Sequence, residues 1–213
     1  MKLHFFHARY GWYFPVLISL ILLIGILASF YTYNKVDQAG RQSLLQRAET
    51  IARAIDIEEV AILAAGPSDL YLSEYLELKE KMTAIQKANP DSRFVYIMGK
   101  KEGELFFYVD SEDPESEDYS APGDVYEDES PAFEAALSQS QSGTEGPIED
   151  EFGNWITGVA PLEPIQGNVI AAVGIDVDAS NYMSAALTYA SIPILLSILL
   201  SVFAYAGMRI ERA

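Results

Sequence analysis

The chain contains no cysteine, so no disulfide staples it and no thiolate can ligate a metal. Histidine is almost as scarce: His4 and His7 are the only two, both at the very start. Everything downstream lacks the base of a Ser-His-Asp or Cys-His arrangement and the nitrogen and sulfur ligands of the usual zinc sites, which excludes a triad hydrolase and a zinc hydrolase. After Lys101 basic residues are missing for a long stretch: positions 102 to 186 hold 20 Asp and Glu and not one Lys or Arg. Charge of either sign is missing from residues 10 to 34 and again from 179 to 208.

Those two uncharged stretches organise the chain. Trp12 to Tyr33 (WYFPVLISLILLIGILASFYTY) is 22 residues long. At ~1.5 Å per helical residue it spans roughly 33 Å, enough for a hydrocarbon core of about 30 Å. Trp12, Tyr13 and Phe14 at one end and Phe30, Tyr31 and Tyr33 at the other form the aromatic belts expected at lipid headgroups. The run is too long for the apolar region of a cleaved signal peptide, and no A-x-A-like site follows it. A second run, Leu187 to Met208, closes on Arg209 and Arg212, with Pro193 near its start where a missing N–H costs least. Lys2 and Arg9 before the first span, and Arg209 and Arg212 after the second, place both termini in the cytoplasm and the middle outside it, across the inner (plasma) membrane. Lys35, Arg41 and Arg47 lie just beyond the first span, but in a long loop, and long loops translocate largely regardless of charge. The expected division is a cytoplasmic tail (1–11), a first span (12–33), an extracytoplasmic domain (34–186), a second span (187–208) and a cytoplasmic end (209–213).

The outer domain opens with helical periodicity. Leu44, Ala48, Ile51 and Ile55 recur at spacings of four and three, a face that predicts one long rod continuing the first span until Gly66-Pro67. The same face, over two heptads, is a candidate seam for a homodimer. A second helix is expected from Ser68 to Lys87, striped by Tyr71, Tyr75, Leu78, Met82 and Ile85 and stopped by Asn89-Pro90. The pattern then changes to strands. Arg93–Met98 and Glu104–Asp110 flank a glycine-bearing turn, and Asn154–Leu162 and Val169–Val177 flank Glu163 to Asn168: two hairpins. Between them, Ser111 to Gly153 reads as irregular, with one short helix announced by Ser130 as N-cap and Pro131 at its first position. The acidic excess disfavours nucleic acid and an anionic membrane surface as partners, because its field has the wrong sign.

This order of elements, with "FFYVDSED…YSAPGDVYEDESPAFEAAL" and "EDEFGNWITGVAPLEPIQGNVIAAVGIDV", resembles the Cache family, the PAS-like extracellular sensor domains. The resemblance covers residues 34 to 186 and the flanking spans. It implies an α+β fold, one antiparallel sheet packed on a long N-terminal helix between two transmembrane helices. It also implies the sensor module of a signal-transduction receptor of the kind that fronts histidine kinases, diguanylate cyclases or chemoreceptors. The chain departs from that pattern by ending five residues past the second span, so either it is part of a longer receptor or it signals through a partner.

Family members bind ligand on one sheet face. Period-2 alternation puts Phe94, Tyr96 and Met98 on one side of the first strand, Phe106, Tyr108 and Asp110 together on the second, Trp155 and Thr157 on the third and Asp176 on the fourth. With Arg93 as the nearest cation, the candidate ligand-binding set is Arg93, Tyr96, Met98, Tyr108, Asp110, Trp155, Thr157 and Asp176. An organic acid would depend on Arg93 alone; a neutral, amine-bearing or metal ligand fits the charge better. The alternative reading is a divalent-cation sensor in which Glu127, Asp128, Glu129, Glu149, Asp150 and Glu151 hold Ca²⁺ or Mg²⁺ through clustered oxygens. Paired carboxylates could also do acid–base chemistry, but no catalytic domain is legible, and a non-enzyme without resident cofactor, partnered by the bilayer and an unidentified small molecule, is the expectation.

Overall fold

The computed structural model describes residues 13–150, 152–162 and 166–211. The basic N-terminal tail, Trp12, Glu151, the first half of the expected 163–168 turn and Arg212 lie outside the described residues. The chain divides into two compact units, one formed by residues up to Ala39 and from Met183 onward, the other by Gly40–Tyr182. The second unit falls inside the 34–186 domain expected from charge patterning.

In the first unit, parts of α1 (Tyr13–Ala54) and α5 (Ala179–Glu211) are long and apolar enough to cross a membrane. Their outward side chains, among them Leu20, Leu27, Leu195 and Leu199, are exposed hydrocarbon that suits lipid. The helices meet through small residues. A Cβ on Gly25 would lie 2.1 Å from Ser197 Oγ, and the Ser29 hydroxyl donates to the Ala190 carbonyl. Close backbone approach of this kind is the usual basis of helix association in lipid, where no hydrophobic force separates helix from tail.

In the second unit, the expected stripe on α1 is core: Leu44, Ala48 and Ile51 are buried, with Ile55 just beyond the helix. Contact with the sheet is close enough that a Cβ at Gly158 would meet Leu44 Cγ at 2.9 Å, so only glycine fits there. The rod stops at Ala54, earlier than expected. The Asp56 carboxylate then accepts the Glu58 N–H and starts the short α2 (Ile57–Ala61). Gly66-Pro67 opens a 3₁₀ turn (Pro67–Tyr71) rather than ending the rod, and buried Asp69 accepts N–H bonds from Ala64 and Gly66. The next helix, α3 (Ser73–Ala88), therefore begins too late to include Tyr71, which is 86% exposed; Tyr75, Leu78 and Met82 carry the buried stripe.

Both hairpins form, as β1 (Ser92–Lys101) with β2 (Glu104–Asp110) and β5 (Gly153–Pro161) with β6 (Ala171–Asp178). The stretch read as irregular contributes β3 (Val125–Tyr126), α4 (Pro131–Gln139) and β4 (Gly143–Asp150). Ser130 does cap α4, accepting the Phe133 N–H. The result is one antiparallel sheet of six strands in the order β3-β2-β1-β6-β5-β4. GTEGPIED in β4 is poor in β-formers, and its Pro147 is tolerated because β4 is an edge strand that need not donate on its outer side. One sheet face, carrying Val95, Ile97, Val109, Ile156 and Ile175, packs with α1 and α3. The other, carrying Met98, Phe107, Val159 and Ala172, receives Phe133 and Ala136 of α4.

Candidate ligand-binding site

The second face leaves a cleft beside α4, and strand register explains its lining. Phe94 of β1 pairs with Asp176 of β6, Asp176 with Thr157 of β5, and Thr157 with Glu145 of β4, so these four side chains form one row across the sheet. The adjacent row joins Asp110, Tyr96 and Gly174. Gly174 is required because the Tyr96 ring lies over it; a Cβ there would come within 2.5 Å of the ring. Phe94 contacts Trp155 and Phe152 edge-on, with centroids 5.1 and 5.9 Å apart. Tyr96 stacks on Phe133 and meets Phe107 edge-on. A narrower chamber shares Tyr96, Tyr126, Asp150, Trp155 and Asp176 with the cleft and reaches inward to Met98, Thr157 and Glu145.

Among the described residues four aspartates and no basic residue line the cleft, and the circumstances of the four differ. Asp110 accepts backbone N–H bonds from Glu112 and Ser120 and lies near Lys79; burial nevertheless raises its carboxyl above the ordinary range. Asp118 is paired with Arg93 at 2.6 Å. Asp150 Oδ1 accepts from the Phe152 and Gly153 backbone and from the Trp155 indole, and its Oδ2 accepts from the Tyr126 hydroxyl. Asp176 is 5% exposed and, among the described residues, has no cationic or backbone donor, only the hydroxyls of Thr157 and, at 3.3 Å, Tyr96. Burial pushes its carboxyl up to about 7, hydroxyl bonds lower it in part, and the nearby Asp150 and Glu145 raise it further.

The loop from Ser111 to Asp124 closes one side and is held by α3. Lys79 donates to the carbonyls of Asp110 (2.6 Å) and Glu112 and sits 4.4 Å from the centroid of the Tyr119 ring. The Tyr75 and Tyr119 hydroxyls share a bond of 2.8 Å, and Thr83 donates to the Ser111 carbonyl. Arg93 joins the sheet to this loop by bonding both Glu112 and Asp118. Burial alone would lower its pKa, but the two carboxylates more than offset that and hold it raised.

Of the residues expected to bind ligand, Tyr96, Asp110, Trp155 and Asp176 line the main cleft, and Met98 and Thr157 line its inner chamber. Arg93 lies at the rim and is committed to the loop. Tyr108 is a correction. Ile97 pairs with Val109 and Met98 with Phe107, so Tyr108 is the extra residue of a β-bulge. The bulge breaks the alternation: Tyr108 packs with the helix-side core, and Phe107 takes the place expected for it. Phe152 and Tyr126 escaped sequence reading because each is positioned by Asp150 or by a two-residue strand.

The acidic candidates for metal that lie among the described residues are not gathered. Among the described residues no group of three or more Asp, Glu or His is placed to hold a metal ion. Glu127, Asp128 and Glu129 edge a groove beside α4, whereas Glu149 and Asp150 alternate in β4, where only Asp150 lines the cleft.

The site is thus an aromatic-walled cleft on one antiparallel sheet, closed on one side by a loop tied to α3. No protein-family model matches the chain. The ligand-binding domain of the Campylobacter jejuni chemoreceptor Tlp3 in complex with L-valine has a similar structure, with a TM-score of 0.51 at 12% identity, covering 83% of this chain and 67% of that one. The sensory domain of the same chemoreceptor with isoleucine bound gives 0.50 at 12% identity, covering 83% and 66%. In sequence, 175 residues are 26% identical to a probable methyl-accepting chemotaxis protein of Bacillus thuringiensis subsp. konkukian (strain 97-27), covering 78% of this chain and 29% of that protein. This chain thus spans under a third of that relative's length. The shared fold is that of chemoreceptor ligand-binding domains, as the Cache resemblance implied.

Proposed function

We propose that the chain is the membrane-anchored sensor module of a bacterial signal-transduction receptor, whose outer domain binds a small molecule. The observation that carries this reading is the cleft itself: rings of Phe94, Tyr96, Phe107, Phe152 and Trp155 with the buried Asp176 among four lining aspartates, an aromatic wall with a few convergent polar groups. No catalytic role is assigned to it. The basic residues at both ends support cytoplasmic termini and an outer Gly40–Tyr182 unit; a reporter inserted at residue 120 should read as extracytoplasmic and one at residue 211 as cytoplasmic, and both on one side would refute the two-span arrangement. Occupancy of the cleft is communicated through α1 and α5, each of which contributes residues to both units.

The test is a thermal-denaturation screen of the purified full chain in detergent against amino acids, amines, organic acids and sugars. A ligand that binds only the folded state stabilises it by RT ln(1 + [L]/Kd), about 2.7 kcal/mol at a hundredfold excess over Kd. At least one compound should raise the melting temperature by roughly 5 °C or more. A screen in which no compound does so contradicts the reading.

A further inference from the structure

We infer that the cleft takes an organic cation lacking a carboxylate, an amine rather than an α-amino acid. The inference rests on the sensor reading and narrows it. It starts from what a bound amino acid would need: an acceptor for its ammonium and a donor, normally cationic, for its carboxylate. Acceptors abound here. Asp110, Asp118, Asp150 and Asp176 line the cleft, and Glu145 lines its inner chamber. Donors are spent. Arg93 already bonds Glu112 and Asp118, Lys79 is held by two loop carbonyls beneath Tyr119, and the Ser120 N–H goes to Asp110. From Glu102 to Ala186 the chain offers no other Lys or Arg. A ligand carboxylate would enter a buried space already ringed by like charge.

The aromatic lining points the same way. Phe94, Tyr96, Tyr126, Phe152 and Trp155 line the cleft together with Asp176, and aromatic rings attract a desolvated cation that reaches their faces. Among the described residues Asp176 alone of the four aspartates lacks a cationic or backbone donor, so it is the group left to meet the ammonium. Burial leaves this carboxylate reluctant to ionise, and an arriving cation supplies the missing counter-charge. The neighbouring groups that face it are Tyr96 from β1, Tyr126 from β3, and Glu145 and Asp150 from β4. This ligand class departs from the L-valine and isoleucine bound by the structurally similar domains.

Matched compounds test the inference on the full chain in detergent, at about pH 8 where the carboxylate is ionised. The panel sets isobutylamine, L-valine and 3-methylbutanoic acid against one another, then 2-phenylethylamine, L-phenylalanine and 3-phenylpropanoic acid, with 1,4-diaminobutane and choline as further cations. At least one cation should raise the melting temperature by about 5 °C at saturation. Its amino-acid and acid counterparts should need at least tenfold more compound for the same shift. Asp176→Asn should melt no lower than the parent when unliganded and should lose the amine shift. Equal or better stabilisation by an amino acid or acid would overturn the inference while leaving the sensor reading intact. Retention of the amine shift in Asp176→Asn would overturn it as well, by placing the amine elsewhere. Failure of every compound, here and in the broader screen, would remove both.

Discussion

Replacing Asp176 with asparagine is expected to raise the melting temperature of the unliganded protein, and by more at about pH 8 than at about pH 5. The carboxyl is raised from 3.8 to about 7 by burial, a difference of about three units. At 1.36 kcal/mol per unit, holding it ionised costs about 4 kcal/mol as an upper bound, of which asparagine, itself a buried polar group, should recover about 2–3 kcal/mol. The sign follows from linkage. A carboxyl raised in the folded state favours folding only while it is protonated, so its contribution is complete below about pH 4 and is lost as pH rises through about 7. Asparagine does not titrate, so the gap between variant and parent must open across that window. Tyr96 and Tyr126, whose hydroxyls are also raised, stay neutral throughout and add nothing to the slope. Denaturation at the two pH values decides the matter; a variant less stable than the parent at both would show that Asp176 is compensated by a partner in the unliganded protein.

The second large effect is expected at Asp150. Its carboxylate is the common acceptor for two backbone N–H groups, the Trp155 indole and the Tyr126 hydroxyl. Asp150→Ala would strand these donors at a β4–β5 turn whose Trp155 is 7% exposed, at a cost of about 2–4 kcal/mol. Trp155 would lose the bond that fixes its ring, so ligand affinity should fall by about tenfold or more in addition. Asp150→Asn keeps one acceptor oxygen and should show roughly half the loss of stability. Unchanged denaturation of the alanine variant would mean that the turn is organised by something other than this carboxylate.

Much of the architecture is legible in sequence where a pattern is long and one-sided. Two uncharged runs mark the apolar helices, and Leu44, Ala48 and Ile51 mark the buried face of α1. Strong β-formers disclose β1, β2, β5 and β6, but β4 is hidden because GTEGPIED forms a strand by lying against β5, not by propensity. The site is legible strand by strand and illegible across strands. Asp176 and Trp155 could be nominated from alternation, yet the row Phe94–Asp176–Thr157–Glu145 depends on β1 pairing with β6 across the whole domain. Tyr108 was misplaced for a local reason: one bulged residue reverses every face assignment on its far side, and no residue type at positions 107–109 announces it. Asp150, read as one of a metal-binding run, turns inward to orient Trp155, while Glu149 stays outside the cleft.

The claim that the aromatic face is where ligand binds can be read from one side chain. The chain has two tryptophans, Trp12 and Trp155, so all tryptophan emission of a Trp12→Phe variant, excited selectively over tyrosine, comes from Trp155. Titrating that full-length variant in detergent with a compound that stabilises it should change the emission saturably, with the same midpoint as the thermal shift, and the change should vanish when Asp176→Asn is added. Emission that stays constant while the compound still stabilises the protein would place the ligand elsewhere and contradict the assignment of this cleft.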